Sequence, residues 1–215
     1  MVRKSILAGA ILPSLLVAGC VFGGSPEEEI GGILNSTVEK EQGFVDSQQP
    51  IKELEQEEQE LFDNIMALSI EEFEQIEGYA NEALENLDQR EEQLTVETES
   101  IEEAKEEFES VGEHVQDVED ENVRTHVENM VDVMNERYQV HGELVSQYNE
   151  AITLDRELYN LLQDQELALE DLEAHIEKVN GQYELIAETN ETFNALTDEY
   201  NSLKTEYFEM TSEEE

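Results

Sequence analysis

The sequence has few basic residues, one cysteine, three prolines and no tryptophan. It carries 11 lysines and arginines against 56 aspartates and glutamates, which gives a formal net charge of −45. Phosphate backbones are bound through lysine and arginine, so this balance excludes nucleic-acid binding through a basic surface. The single cysteine excludes an intramolecular disulfide and a multi-cysteine metal site. An aromatic content of 7% argues against a large aromatic ligand cleft.

The first twenty residues have the layout of a bacterial lipoprotein signal. Arg3 and Lys4 are followed by a short apolar run, which ends in Leu-Val-Ala-Gly directly before Cys20. The run is too short to span a membrane as a helix and is typical of a cleaved signal peptide. We therefore expect residues 1–19 to be removed and Cys20 to carry fatty acyl chains such as palmitate, an anchor that is stable when more than one chain is present. The alternative is an ordinary signal peptide in which the cysteine is incidental.

The rest of the chain has the pattern of long helices. Pro50 is the last proline and only four glycines follow it, which argues against a loop-rich fold. No window alternates polar and apolar residues as a strand would. Apolar residues recur instead at spacings of three and four, and one run keeps a strict spacing of seven: Phe73, Ala80, Leu87, Leu94, Ile101, Phe108 and Val115. Such spacing predicts helices packed along their length.

Breaks in this pattern divide it into four segments. Ser69 and Glu72 form a capping box, and polar stretches at 116–122 and 163–165 mark two further turns. Pro50 is expected to start or kink a helix. The sequence therefore predicts an all-α fold, a long four-helix up-and-down bundle; the alternative is a three-helix coiled coil with a loosely attached first segment. The predicted boundaries are a flexible tether at 20–29, the bundle at 30–210 and an acidic tail at 211–215.

The sequence shows no catalytic or metal-binding signature. No histidine has a glutamate three residues before it, which excludes the usual di-iron motif of helical bundles. Asp117, Glu119, Glu121 and Glu128 have the spacing of a calcium loop, but Asn122 stands where that loop needs glycine. A nucleophile elbow and a phosphate-binding glycine loop are both missing. We expect a non-enzymatic protein without metal or cofactor.

One polar stripe interrupts the apolar seam of the third helix. Its members lie on one helical face by their spacing: Tyr138, Tyr148, Asp155 and Tyr159. A buried carboxylate needs hydrogen-bond donors, and tyrosine hydroxyls or an arginine such as Arg137 or Arg156 are available nearby. The stripe is either a small recognition patch or a buried polar layer that fixes helix register.

The same helix resembles the YkyA-type lipoproteins of Bacillales, a family described as cell-wall binding. The resemblance extends over the whole chain and includes the lipobox; the segments that carry it are Arg137–Gln139, Leu144, Tyr148, Ala151–Tyr159, Glu39–Phe44, Pro50, Leu54–Leu61 and Asn190–Phe193. It implies a surface lipoprotein with a four-helix up-and-down bundle, and it supplies no catalytic residues. This chain has glutamate and glutamine where its relatives are rich in lysine, which indicates a high-salt habitat.

These observations lead to one interpretation and two alternatives. The chain is expected to be a non-catalytic lipoprotein, anchored through Cys20 to the outer face of the cell membrane of a salt-loving Gram-positive bacterium. There it would contact peptidoglycan or an envelope protein. The first alternative is a scaffold or regulator of cell-wall enzymes, and the second is a carrier of a small ligand or cation.

The charge density predicts a salt-dependent fold. At low ionic strength, repulsion among the carboxylates should leave the chain partly helical, whereas at 1 M salt the Debye length falls to about 3 Å and the repulsion is screened. Far-ultraviolet circular dichroism should therefore show helicity that rises with added salt. A spectrum that is the same in dilute buffer and in molar salt would contradict the high-salt interpretation.

Overall fold

The computed structural model describes residues 24–212. The predicted signal peptide at 1–19, the lipidation site Cys20 and the last three residues of the acidic tail lie outside the described part.

The described chain is helical, and it contains no strand between residues 24 and 212. Its helices are α1 (Pro26–Lys40), α2 (Gln42–Ala67), α3 (Phe73–Glu109), the short α4 (Val111–His114), α5 (Glu121–Leu161) and α6 (Leu169–Ser212). Two turns of 3₁₀-helix, Ile70–Glu72 and Val115–Asp117, lie in the connections. The all-α prediction is confirmed, and four long helices, the first of them formed by α1 and α2, pack as a bundle. Every helix between residues 24 and 212 is too short or too polar to cross a membrane.

The first helix begins earlier than predicted. Residues 26–29 are helical, so the expected flexible tether at 20–29 is too long at its C-terminal end. Ser25 caps this helix by accepting a hydrogen bond from the backbone N–H of Glu28 at 3.3 Å, and Pro26 occupies the first helical position. A serine cap followed by proline and acidic residues favours a helix start. At the other end α6 continues to Ser212, two residues beyond the predicted end of the bundle.

Pro50 lies inside α2 and does not start it. A proline in a helix interior costs about 3 kcal/mol or more, because one backbone hydrogen bond is lost. Burial of Ile51, Phe62 and Ile65 on the same helix offsets that cost. The interruption between α1 and α2 falls instead at Glu41, a single residue that belongs to neither helix.

The described chain forms two compact units. The first unit comprises residues 46–96 and 143–190, and the second comprises 24–45, 97–142 and 191–212. In the first unit, segments of α2, α3, α5 and α6 bury residues that include Phe62, Leu87, Leu94, Leu158 and Ile176. In the second unit, α1 and segments of α3, α5 and α6 bury residues that include Ile30, Leu34, Phe108, Met130 and Phe193. The first predicted segment is thus part of the core and is not loosely attached.

The predicted turns are present, and one has a cap that the sequence analysis missed. Ser69 donates its backbone N–H to Glu72 Oε2 at 3.1 Å, as the capping box requires. Asp120 accepts hydrogen bonds from the backbone N–H groups of Asn122 at 2.7 Å and Val123 at 3.1 Å, at the start of α5. The bonds from Val123 and Asn122 stabilise the carboxylate and lower the pKa of Asp120.

Replacing this cap should destabilise the protein in a pH-dependent way. Since the folded-state pKa of Asp120 is lowered, its carboxylate contributes fully to stability above the unfolded pKa of about 3.9, and the contribution is lost as the pH falls through the folded value. Asp120→Ala should therefore lower the Tm at neutral pH, with a deficit that shrinks in acid. The control is Asp117→Ala, which removes an exposed acid from the same connection. Equal deficits in the two variants would contradict the capping role.

Candidate functional site: buried arginines and a polar cavity

A fully buried arginine lies in the first unit. Arg90, on α3, is 1% exposed. Its Nη2 donates to the hydroxyl of Tyr183 on α6 at 3.0 Å, and its Nη1 donates to Glu58 Oε2 on α2 at 3.3 Å. Glu55 of α2 and Asp155 of α5 each place a carboxylate oxygen 3.7 Å from the guanidinium. Side chains from four helices therefore converge on one charge.

Tyrosine hydroxyls hold the carboxylates of this cluster. Tyr183 donates to Asp155 Oδ2 at 2.7 Å, and Tyr159 donates to Glu58 Oε1. Burial opposes the charge of Arg90, but Tyr183 and the surrounding carboxylates outweigh it and raise the pKa of the guanidinium above its ordinary value. The cluster thus keeps a charged arginine in the core with its counter-ions in place.

The structure brings together three of the four predicted stripe residues. Asp155 and Tyr159 are fully buried in the Arg90 cluster, and the ring of Tyr148 lies 5.5 Å from Arg90 Cζ. Tyr138 belongs to the second unit, where its ring packs against Phe108.

The prediction that Arg137 or Arg156 pairs with Asp155 was wrong. Arg137 belongs to the second unit, and Arg156 is at the surface, where it pairs with Asp88 at 2.8 Å and Glu91 at 3.3 Å. The partner is Arg90, which occupies the heptad position between Leu87 and Leu94 in the apolar run. A charged residue in that position was the signal that could have found it.

The second unit contains its own buried arginine. Arg137, 1% exposed, forms a two-pronged pair with Glu41 at 2.6 and 3.1 Å. Its Nε donates to Thr197 Oγ1 at 2.9 Å, and its Cζ lies 4.7 Å from the ring of Phe193. Fork-to-carboxylate geometry of this kind is among the strongest of protein hydrogen bonds. It ties α5 to α6 and to the break between α1 and α2.

An open cavity of about 650 Å³ lies beside the Arg137 pair, within the second unit. Its walls come from α1, the start of α2, α5 and α6, and they include Glu41, Arg137, Tyr200 and Lys204. This opening was not predicted from the sequence. Burial raises the pKa values of the Tyr138 and Tyr200 hydroxyls. Both remain protonated at neutral pH, so they can donate hydrogen bonds and do not serve as bases.

Histidines and carboxylates do not assemble a metal centre in residues 24–212. His141 is buried between the rings of Phe44 and Phe193, and its Nε2 lies 3.0 Å from Glu97 Oε1. The Asp120 carboxylate in the calcium-like segment caps a helix.

Removing one arginine from the core should cost far more than removing one at the surface. Arg90→Met leaves Glu58 and Asp155 buried without their counter-ion, which typically costs about 3–5 kcal/mol. Arg156→Met, the control on an exposed arginine with two carboxylate partners, should cost about 1 kcal/mol or less. Chemical denaturation of both variants measures the difference, and similar losses would contradict the structural role of the cluster.

Comparison with known proteins places these features in a family. Residues 25–210 match the family described as "Putative cell-wall binding lipoprotein" of the YkyA type. The chain is 31% identical over 166 residues to the uncharacterized lipoprotein YkyA of Bacillus subtilis (strain 168), which covers 77% of this chain and 74% of that protein.

A solved structure shows the same fold at low sequence similarity. A conserved protein of unknown function from Staphylococcus aureus superimposes with a TM-score of 0.75 at 15% identity, over 85% of this chain and 93% of that one. Since the family match extends over almost the whole described chain, the protein belongs to the YkyA family of lipoproteins.

Proposed function

We propose that the protein is a non-catalytic lipoprotein, anchored through Cys20 to the outer face of the cell membrane, whose helical bundle contacts the cell wall. The observation that carries this proposal is the family match from residue 25 onward, directly after a lipobox at Cys20. Only five residues separate Cys20 from the start of α1 at Pro26. Fully extended, they span at most about 18 Å, so the anchor would hold the bundle close to the bilayer.

The distribution of charge limits how the bundle could contact the wall. Arg90 and Arg137 are buried and paired with carboxylates in the interior. The surface therefore has even fewer cations than the composition indicates. Anionic wall polymers would be repelled at low salt, and the repulsion is screened within about 3 Å at 1 M salt. The contact we propose therefore uses hydrogen bonds in a salty habitat and does not depend on lysine clusters.

Sedimentation with purified wall sacculi tests the wall contact. At molar salt, the protein should pellet with sacculi more than an unrelated acidic helical bundle of similar charge does, and the pelleted fraction should fall at low salt. Pelleting no greater than that of the control bundle would overturn wall binding.

A Cys20→Ala variant, expressed in parallel with the wild-type protein, tests the anchor by cell fractionation. The wild-type protein should fractionate with membranes, whereas the variant should leave them; a variant that stays membrane-bound would overturn the role of Cys20. Crosslinking that enriches protein partners, without any sedimentation on sacculi, would favour the scaffold function instead.

The cavity of the second unit favours one further candidate, a carrier of a small ligand. A carrier needs a cavity for its ligand, and a closed second unit would have excluded this function. The opening of about 650 Å³ is therefore the observation that favours it.

A further inference from the structure

The cavity of the second unit contains a lysine without a counter-ion. Lys204, on α6, is half-buried and has no carboxylate within ion-pair distance among the described residues. Three other basic residues of this unit have one: Arg137 pairs with Glu41, Lys40 with Glu103 at 3.2 Å, and Arg124 with Glu121 at 2.8 Å. The exposed Lys105 has none among the described residues. Lys52 of the first unit is also half-buried without an ion pair among the described residues, so Lys204 is distinguished by its position in the cavity wall.

A second donor of the same cavity is also unused. Tyr200 is 4% exposed, and its hydroxyl has no hydrogen-bond partner among the described residues. The nearest charged groups, Glu41 and Arg137, are occupied by each other. A buried polar group normally has a partner, and one without a partner in a native structure calls for an explanation. An acceptor atom from a bound molecule would supply what is missing.

Helical spacing places these donors on one stripe. Lys204 follows Tyr200 by four positions and Asn201 by three along α6, so it lies one helical turn beyond both. The Asn201 side chain is half-buried in the cavity wall and makes no hydrogen bond with another described residue. The stripe thus offers an ammonium, a hydroxyl and an amide side by side.

The remaining wall narrows the class of ligand. Val38, Val45 and Met134 contribute apolar surface, and the volume of about 650 Å³ falls in the range of small-molecule sites. The exposed carboxylates of Asp198, Glu206 and Glu209 also line the opening, where they disfavour a small ion that is negative on all sides. They tolerate a molecule that is anionic at one end only.

We propose that this cavity binds a small molecule of the size of a short peptide, with a carboxylate held by Lys204 and Tyr200 and an amide bonded to Asn201. Burial lowers the pKa of Lys204, while the nearby Glu41 acts in the opposite direction, and a bound carboxylate would stabilise the ammonium further. The inference deepens the carrier candidate, on whose cavity it rests, and it is independent of the proposed wall contact.

Titration of the purified full chain with three probes tests the site. The probes are N-acetyl-alanyl-alanine, the same dipeptide with a C-terminal amide, and inorganic phosphate, followed by NMR chemical shifts or calorimetry. The carboxylate dipeptide should bind at least about tenfold more tightly than its amide or phosphate. Equal binding of acid and amide, tighter binding of phosphate, or no binding by any probe would overturn the proposal.

Lysine variants show whether the binding uses this cavity. Lys204→Gln should weaken the carboxylate dipeptide about tenfold and leave the amide unchanged. The matched control is Lys178→Gln, which removes an exposed lysine from α6 in the first unit. Equal effects of the two substitutions would place the binding elsewhere and overturn the assignment.

A tyrosine variant separates a binding role from a structural one. Tyr200→Phe removes a hydroxyl that has no partner in the ligand-free protein, so the Tm without ligand should stay the same or rise while dipeptide affinity falls. A lower Tm without ligand, or an unchanged affinity, would overturn the role of this hydroxyl. Sedimentation on sacculi is measured separately, so failure of the wall contact remains distinguishable from failure of this site.

Discussion

Each compact unit is organised by one buried arginine that must be neutralised. An arginine in the core is tolerated only when carboxylates from other helices reach it, because a buried charge without a partner costs several kcal/mol. Arg90 draws on α2, α5 and α6, and Arg137 draws on Glu41 and on Thr197 of α6. Apolar seams with a repeat of seven could slide past one another by one heptad and still bury leucine against leucine. A shift by one heptad would separate Arg90 and Arg137 from their carboxylates, so the arginine pairs favour the observed register.

The same pairs influence the surface of the molecule. A chain with only 11 basic residues places two of them in the interior, so its exterior is dominated by carboxylates. Such a surface remains hydrated and repels other anions except where salt screens it. Contacts with an anionic envelope would then rely on hydrogen bonding and on special positions such as the cavity.

Periodicity was sufficient to predict the helices, because spacings of three, four and seven follow directly from helical geometry. The residues from Ala80 to Val115 in the strict heptad run are all buried, as expected. Asp155 was also identifiable, since a carboxylate within an apolar stripe stands out. Its partner Arg90 was not predicted, because the apolar seam is defined by residues such as Leu87 and Leu94 and does not include the charged residue between them.

The grouping of Tyr138 with the other stripe residues failed for a different reason. Spacing along one helix predicts a shared face, but it does not identify which neighbouring helices pack against each part of that face. Tyr138 consequently belongs to the second unit with Phe108, while Tyr159 reaches Glu58 in the first. The cavity was missed for the same reason, since it depends on the packing of four chain segments and on one interrupted helix.

The cavity lies where the regular pattern of the second unit is broken. It is lined by residues on both sides of Glu41, the one-residue interruption between α1 and α2. Protein interiors are normally packed as densely as organic crystals, and few voids exceed the size of a water molecule. Here the opening coincides with an unpartnered tyrosine hydroxyl and an unpaired lysine. The Arg90 cluster also leaves one donor, Nε, without a partner among the described residues, but its charges are paired. An open cavity together with an unpaired charge is therefore what favours a binding site in the second unit.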